Sequence, residues 1–269
     1  MTTLSDKDFM RLATFIHSNY GINLFKKKSL IESRLNTTIG NSGFDDFTGY
    51  IDHILSKKNT NDIETMLNKL TTNYTYFMRE PAHFDFFKNT ILPQLVSQKK
   101  DKVMSIWSAG CSSGEEPYTI SMIIKDFLGA QASAWDTRVL ATDISQNVLS
   151  TATNASYPAS SLQNLPPTWK QKYFVKAAED KYTVAPIIKS NVIFKTFNLM
   201  SPIQFRMKFD VIFCRNVMIY FDAPTKDALI NRFYDATAPN GYLLIGHSES
   251  VNKEKTQYRY LQPATYQKK

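Results

Sequence analysis

The stretch Trp107-Ser108-Ala109-Gly110-Cys111-Ser112-Ser113-Gly114-Glu115-Glu116-Pro117-Tyr118 leaves a short apolar run, turns through two glycines and enters a helical pattern. Glycines let a ligand approach the backbone closely, and the start of a helix presents unpaired N–H groups. The spacing differs from the dinucleotide pattern Gly-x-Gly-x-x-Gly, and no Lys-Ser/Thr pair follows the last glycine, which argues against a phosphate-cradling P-loop. Two carboxylates, Glu115 and Glu116, stand at the mouth of the turn. They repel a pyrophosphate and attract a cation such as an amino group. A structural turn with two surface glutamates accounts for the same residues.

Outward from this turn the chain alternates strand and helix. Residues 103–107 read as a buried strand, 115–129 as a helix ended by Gly129, and 138–142 as a second strand followed by a helix from Ser145. Phe209–Cys214 is a further strand, 224–237 a helix, 241–246 a strand, and 256–266 a closing hairpin. Such alternation predicts an α/β, doubly wound sheet flanked by helices. Between about residues 155 and 197 Pro158, Pro166 and Pro167 interrupt the rhythm. There 172–175, 182–184 and 192–197 read as short strands of a small antiparallel β insert.

The first seventy residues are helical in pattern. Ser5 and Asp8 form a weak capping box, Phe9, Leu12, Ala13, Ile16 and Tyr20 recur at helical spacing, and Gly21 stops the run. Leu30, Ile31 and Leu35 mark a second helix, Phe44, Phe47, Tyr50, Ile51, Ile54 and Leu55 a third, and Ile63, Met66, Leu67 and Leu70 a fourth capped by Asn61 with Glu64. Four short amphipathic helices predict an N-terminal helical bundle. The expected organisation is a helical domain over 1–72, a linker and helix over 73–100, and the sheet domain over 101–269 with its insert at about 155–197.

At 269 residues, with 43% hydrophobic and 21% charged residues, the composition is that of an ordinary globular protein. No apolar run approaches the roughly eighteen residues of a membrane span. The N-terminus lacks a basic-then-apolar leader pattern. Cys111 and Cys214, the only cysteines, argue against a disulfide framework and for a reducing cytoplasm. The net charge of +8 points to an acidic partner, which includes nucleic acid, an anionic membrane surface and an acidic protein. Residues 1–70 hold nine Lys/Arg against eight Asp/Glu, so basic character there is local, at Lys26, Lys27, Lys28 and Arg34.

Asp143 follows the second strand, where an acidic side chain can accept hydrogen bonds from ribose hydroxyls or cap the next helix. Beside the glycine-rich turn, it favours an adenosine-containing ligand. Two further polar clusters are residues 70–80, ending in Arg79 and Glu80 before Pro81, and residues 213–222, with Arg215 and Tyr220 after a strand. A capped interdomain linker and a packed loop explain each of these equally well in isolation.

Together they do more. Thr72-x-x-Thr75-x-Phe77-x-Arg79, the turn Ser108 to Tyr118, Thr142-Asp143-Ile144, Asn198-Leu199, Phe209 to Asp222 and Gly246-His247-Ser248-Glu249 occur in one order over nearly the whole chain. This ordered set resembles the CheR family of chemoreceptor methyltransferases. The resemblance implies a Rossmann-like fold and S-adenosylmethionine as methyl donor, with S-adenosylhomocysteine as product and no metal. It implies that Asn73, Thr75 and Arg79 line the cofactor site, that Glu116 rather than its neighbour Glu115 holds the methionine amino group, and that Asp143 holds the ribose. Asn198 and Leu199 would flank the adenine, Arg215 and Asn216 would complete the site, and Arg79, Arg215 and Tyr220 would stand nearest the transferring methyl.

The expected acceptors are glutamates on the cytoplasmic methylation helices of chemoreceptors. A glutamate is already ionised near neutral pH, so no general base is required. That agrees with four scattered histidines, His17, His53, His83 and His247, with no metal-like spacing. Lys26, Lys27, Lys28 and Arg34 are candidate docking contacts for acidic receptor helices. A monomer without nucleic-acid partner or membrane insertion is expected. The rival readings are a nucleic-acid or small-molecule methyltransferase on the same fold, and a receptor-binding module without catalysis. Against the first, Arg215-Asn216-Val217 replaces the Asn/Asp-Pro-Pro-aromatic loop of amino-methylating DNA enzymes.

Overall fold

A computed structural model describes residues 3–56 and 60–269. The chain divides into two compact units, Met1–Asn73 with Tyr220–Thr225, and Tyr74–Ile219 with Lys226–Lys269.

The first unit is helical: α1 (Asp6–Tyr20), α2 (Lys28–Asn41), α3 (Phe47–Leu55) and α4 (Thr60–Leu70). Ser5 caps α1, its hydroxyl oxygen accepting from the Asp8 N–H, and Gly21 ends it at φ 72°. Asp46 caps α3 by accepting from the Gly49 N–H at 2.8 Å. Leu12, Ile16, Ile31, Leu35, Ile51 and Met66 are buried to 0% exposure, so one apolar face of each helix meets in a common core. Asn61 lies inside α4 rather than before it, and the residue that would cap α4 lies outside the described residues.

The second unit opens with α5 (Pro81–Phe86), a π-helical turn (Phe87–Ile91) and α6 (Leu92–Gln98). Then come β1 (Ile106–Ala109), α7 (Glu115–Leu128), β2 (Val139–Asp143), α8 (Gln146–Asn154), β3 (Ser156–Pro158), α9 (Pro167–Tyr173), β4 (Phe174–Ala178) and β5 (Lys181–Val184). The chain continues through α10 (Pro186–Lys189), β6 (Val192–Thr196), β7 (Phe209–Cys214), α11 (Ala223–Ala236), β8 (Thr237–Ile245), β9 (Arg259–Gln262) and β10 (Thr265–Gln267).

The main sheet has the order β6-β2-β1-β7-β8-β10-β9, and a second sheet the order β3-β5-β4. β6, β2, β1, β7 and β8 are parallel, and β10 and β9 close the edge antiparallel. Every residue of β1 and β7 is buried, as central parallel strands covered on both faces require. From β1 the chain steps outward to β2 and β6, then returns to β7 on the other side of β1. The order therefore reverses between β1 and β7, and ligands of such sheets bind beyond the carboxyl ends of the strands at that point. Trp107 anchors the sheet: fully buried, it donates from Nε1 to Thr142 Oγ1 at 2.9 Å and packs on Phe205, Phe209 and Phe233.

The strand expected at 103–107 begins only at Ile106, because the Ser105 N–H is taken by the side-chain carboxylate of buried Asp210 in β7 at 2.9 Å, not by a backbone carbonyl of a neighbouring strand. Residues 192–197 do not belong to the antiparallel insert. As β6 they extend the main sheet parallel to β2, from Val139 opposite Val192 to Asp143 opposite Thr196. Alternating side chains look alike in either sheet; only the intervening α10 redirects the chain.

Candidate active site

The turn after β1 requires its glycines. Gly110 and Gly114 hold φ of 86° and 96°, and a Cβ would lie 2.4 Å from Val217 Cγ2 at the first and 2.8 Å from Ala152 Cβ at the second. The N–H groups of Gly110 and Cys111 donate to the Thr142 carbonyl at 2.8 and 2.9 Å, fastening the turn to the end of β2. Ser112 itself sits at φ 49°, a strained left-handed position for a residue with a Cβ.

Asp143 ends β2 beside this turn. One carboxylate oxygen accepts from the Ser112 N–H at 2.9 Å, the other from the Ser145 N–H at 3.0 Å. The cap of α8 is Ser145, whose hydroxyl oxygen accepts from the Val148 N–H, so Asp143 is not the helix cap. It bridges the two loops that face the switch point.

The paired glutamates diverge. Glu115 is 5% exposed and accepts from the Ser113 hydroxyl at 2.7 Å; burial pushes its carboxyl up. Glu116 points the other way. Its Oε1 accepts from the Ser108 hydroxyl at 2.7 Å and its Oε2 from Arg215 Nη1 at 2.9 Å. The Arg215 side chain is 2% exposed and lies over the Phe84 ring. Its Nη2 donates to the Arg79 carbonyl and to Glu80 Oε2, the latter at 3.2 Å. Both terminal nitrogens of Arg215 are thus engaged by protein acceptors, its buried Nε having no partner among the described residues, and the side chain acts as a strut between Glu80 and Glu116.

Glu80 was not singled out in the sequence, yet it is a hub. At φ 57° ahead of α5, its Oε1 accepts from Asn216 Nδ2 at 3.2 Å and the His247 N–H at 3.3 Å. Burial opposes ionisation of Glu80. His83, the Arg215 charge, the Asn216 amide and the His247 N–H outweigh that and hold its carboxyl well below the usual range. Glu249 is a second unanticipated residue. Its buried carboxylate accepts from the N–H groups of Asn216, Ile219 and Gly246 and so fixes the loop after β7. Gly246-His247-Ser248-Glu249 carried the signal, but nothing in one dimension shows that Glu249 folds back on Asn216.

The remaining candidates fall in both units. Arg79 is half-buried, and its Nη1 donates to the Tyr74 carbonyl at 2.7 Å; no carboxylate pairs with it among the described residues. Thr75 is half-buried nearby in sequence. Asn198 and buried Leu199 follow β6, with Asn198 Oδ1 accepting from the Met200 N–H at 2.9 Å. Asn216 stands at φ 60° after β7. Asn73 and Tyr220 belong to the helical unit, where Asn73 Nδ2 donates to Asn68 and the Tyr220 hydroxyl exchanges hydrogen bonds with the Thr72 backbone.

The four basic docking candidates differ. Lys26 and Lys27 are exposed, whereas Lys28 pairs with Asp6 at 2.6 Å. Arg34 donates to the Lys69 and Thr71 carbonyls, covering the open end of α4. Of the histidines, His17 and His53 pair with Asp222 and Asp62. His83 and His247, distant in sequence, meet with ring centroids 4.5 Å apart beside Glu80, and the potential ligand atoms of all three lie within 4.8 Å of one another. The Glu80 oxygens already receive Arg215, Asn216 and the His247 N–H.

Residues 7–71 match the family described as CheR methyltransferase, all-alpha domain, and residues 73–267 that described as CheR methyltransferase, SAM binding domain. A "Chemotaxis protein methyltransferase" of Borreliella burgdorferi is 44% identical, over 98% of this chain and 95% of the relative. A "Probable chemotaxis protein methyltransferase" of Rhizobium etli is 36% identical, over 91% and 96%. The "Chemotaxis protein methyltransferase" of Escherichia coli is 35% identical, over 93% and 86%. With both family domains matched in order and near-full-length relatives at 35–44% identity, the chain belongs to the CheR methyltransferase family.

Proposed function

We propose that this chain methylates glutamate carboxylates on the cytoplasmic methylation helices of chemoreceptors, using S-adenosylmethionine and releasing S-adenosylhomocysteine. One observation carries the reading: Glu116 in the first turn of α7 and Asp143 at the end of β2 flank a turn whose two left-handed glycines leave no room for side chains.

The donor set fits such a cofactor. Glu116 suits its amino group, Asp143 the ribose hydroxyls, and Asn198 with Leu199 the adenine. Thr75 and Asn216 would complete the binding side of the second unit. Roles for Asn73 and Tyr220 rest on the family resemblance alone. When bound, S-adenosylmethionine supplies an electrophilic methyl group on a cationic sulfur. The protein's task is then chiefly to hold an ionised glutamate in line with it.

Arg79 is the arginine suited to that task, because its guanidinium has no acidic partner among the described residues. A bidentate arginine orients a carboxylate, and a contact that is not too tight leaves the nucleophile reactive. Arg215, buried between two glutamates, is better suited to positioning. Charge is lost between reactants and product, so exclusion of water favours transfer. Residues 1–72 would dock the receptor, with exposed Lys26 and Lys27 the principal contacts. The cytoplasm is the compartment that fits a chemoreceptor substrate, and no helix among the described residues is long and apolar enough to cross a membrane.

The test is base-labile incorporation of labelled methyl groups into a receptor cytoplasmic fragment, with a Glu→Ala acceptor control. Incorporation that survives the control, or that prefers RNA or DNA, overturns the reading.

A further inference from the structure

We propose that Glu80 is a positioning residue whose negative charge frees Glu116 to bind the cofactor's amino group. This rests on the reading above that Glu116 meets that group.

The argument is a charge balance. A guanidinium carries a positive charge in proteins, and that of Arg215, on a side chain 2% exposed, has little solvent to screen it. Left with Glu116 alone, it would make a neutral pair, and a neutral pair offers an ammonium ion no net attraction. Glu80 changes that. Nη1 of Arg215 serves Glu116 at 2.9 Å while Nη2 serves Glu80 at 3.2 Å. Two carboxylates against one guanidinium leave one net negative charge, which matches a single ammonium. Among the described residues Glu116 Oε1 is then held by the Ser108 hydroxyl alone, a neutral donor, at 2.7 Å.

The surroundings of Glu80 keep it in this service. Asn216 Nδ2 and the His247 N–H both donate to its Oε1, while Oε2 faces Arg215 Nη2 at 3.2 Å and His83 Nδ1 at 3.4 Å. Proline at the first position of α5 and the left-handed backbone of Glu80 aim the carboxylate back toward β7. The same carboxylate makes a metal ion between Glu80, His83 and His247 a poor competitor, since it would face the Arg215 guanidinium across Glu80 Oε2.

Calorimetry of the full chain with two ligands tests the idea. S-adenosylhomocysteine carries the amino group, and methylthioadenosine lacks the whole amino-acid moiety. Glu80→Gln should weaken S-adenosylhomocysteine about tenfold, the scale of one charge-assisted hydrogen bond, and leave methylthioadenosine within about twofold. Glu116→Gln, run alongside, should separate the two ligands at least as strongly. If Glu116→Gln separates them and Glu80→Gln weakens neither or both equally, the Glu80 role is wrong and the Glu116 reading stands. If Glu116→Gln leaves S-adenosylhomocysteine binding intact, the amino group is held elsewhere and both fall. Glu80→Asp keeps the charge with a shorter reach; an affinity no better than that of Glu80→Gln would equally overturn the charge argument.

Discussion

The backbone N–H of Ser112 donates to the carboxylate of Asp143 at 2.9 Å, so a single side chain joins the turn after β1 to the end of β2. The Ser145 N–H takes the second oxygen at 3.0 Å. A carboxylate accepts at both oxygens, whereas a carboxamide accepts at one and turns an NH2 toward the other donor. Asp143→Asn is therefore expected to lower stability by about 1–3 kcal/mol and to weaken S-adenosylhomocysteine binding about tenfold or more. Thermal melts with calorimetry check both. Wild-type binding by the asparagine variant would remove Asp143 from the cofactor site.

Gly110 makes a separable prediction. An alanine there meets Val217 Cγ2 at 2.4 Å and also adopts φ near 86°. Two costs are involved, one steric and one conformational, and only the first can be relieved by a neighbour. Gly110→Ala should destabilise by about 2 kcal/mol or more, and adding Val217→Ala should recover part of that while about 1 kcal/mol of backbone strain persists. Full recovery in the double variant would show that crowding alone makes glycine necessary.

The same turn shows how much of a site one dimension can encode. Its strand-to-helix setting, its two glycines and the carboxylates after them are legible because these features are local and depend on backbone geometry. The capping pair Ser5 and Asp8 and the helix start at Pro81 are local in the same way. Glu80, Glu249 and the partition of the two arginines are not legible in the sequence. Their meaning lies in contacts across 136 residues for Glu80 with Asn216 and 33 for Glu249 with Asn216, and no periodicity encodes such pairs. The misplaced strand β6 has the same origin, since burial alternation names a strand and not the sheet it joins. Arg34 reads as an exposed cation in the sequence, and only the fold brings the carbonyl oxygens at the end of α4 to face it.

Glu80 also predicts a pH dependence. Its folded-state carboxyl lies below the ordinary value of 4.5, because partner groups outweigh its burial. The native state then binds fewer protons than the unfolded chain as acid is added, so this contribution is present above the unfolded value and lost as pH falls through the folded one. The stability gap between wild type and Glu80→Gln should be constant near neutral pH and shrink progressively as pH drops below about 5. Denaturant melts across that range measure it. A gap independent of pH would show that Glu80 contributes through its shape and not its charge.

Arg79 should affect transfer more than cofactor binding. Its Nη1 donates to the Tyr74 carbonyl, and it has no carboxylate partner among the described residues, so its charge remains available to an incoming glutamate. Arg79→Ala is expected to lower kcat/KM for a receptor fragment about a hundredfold, the scale of losing an orienting contact, while S-adenosylhomocysteine affinity changes by less than about threefold. Arg79→Lys should recover little, because a point charge lacks the fork that orients a carboxylate. Full receptor methylation by the alanine variant, with cofactor binding unchanged, would remove Arg79 from the reaction.

The basic residues of the helical unit should separate into two classes. Lys26 and Lys27 are exposed with no ion-pair partner among the described residues, so reversing their charge ought to act on the receptor and not on the fold. The double variant Lys26→Glu/Lys27→Glu is expected to raise KM for a receptor fragment several-fold at low salt, with Tm unchanged. Raising ionic strength should weaken wild-type turnover toward the variant's level, because exposed charges are screened over about 10 Å at 0.1 M salt. Arg34 is different: its guanidinium covers the Lys69 and Thr71 carbonyls at 3.1 and 3.2 Å. Arg34→Ala leaves those acceptors to water and should lower Tm, costing about 1 kcal/mol, with little change in salt dependence. Should Arg34→Ala instead reproduce the lysine variant, raising KM in a salt-sensitive way at constant Tm, the guanidinium would have to leave α4 and reach the receptor, and the assignment of Arg34 to the fold would be wrong.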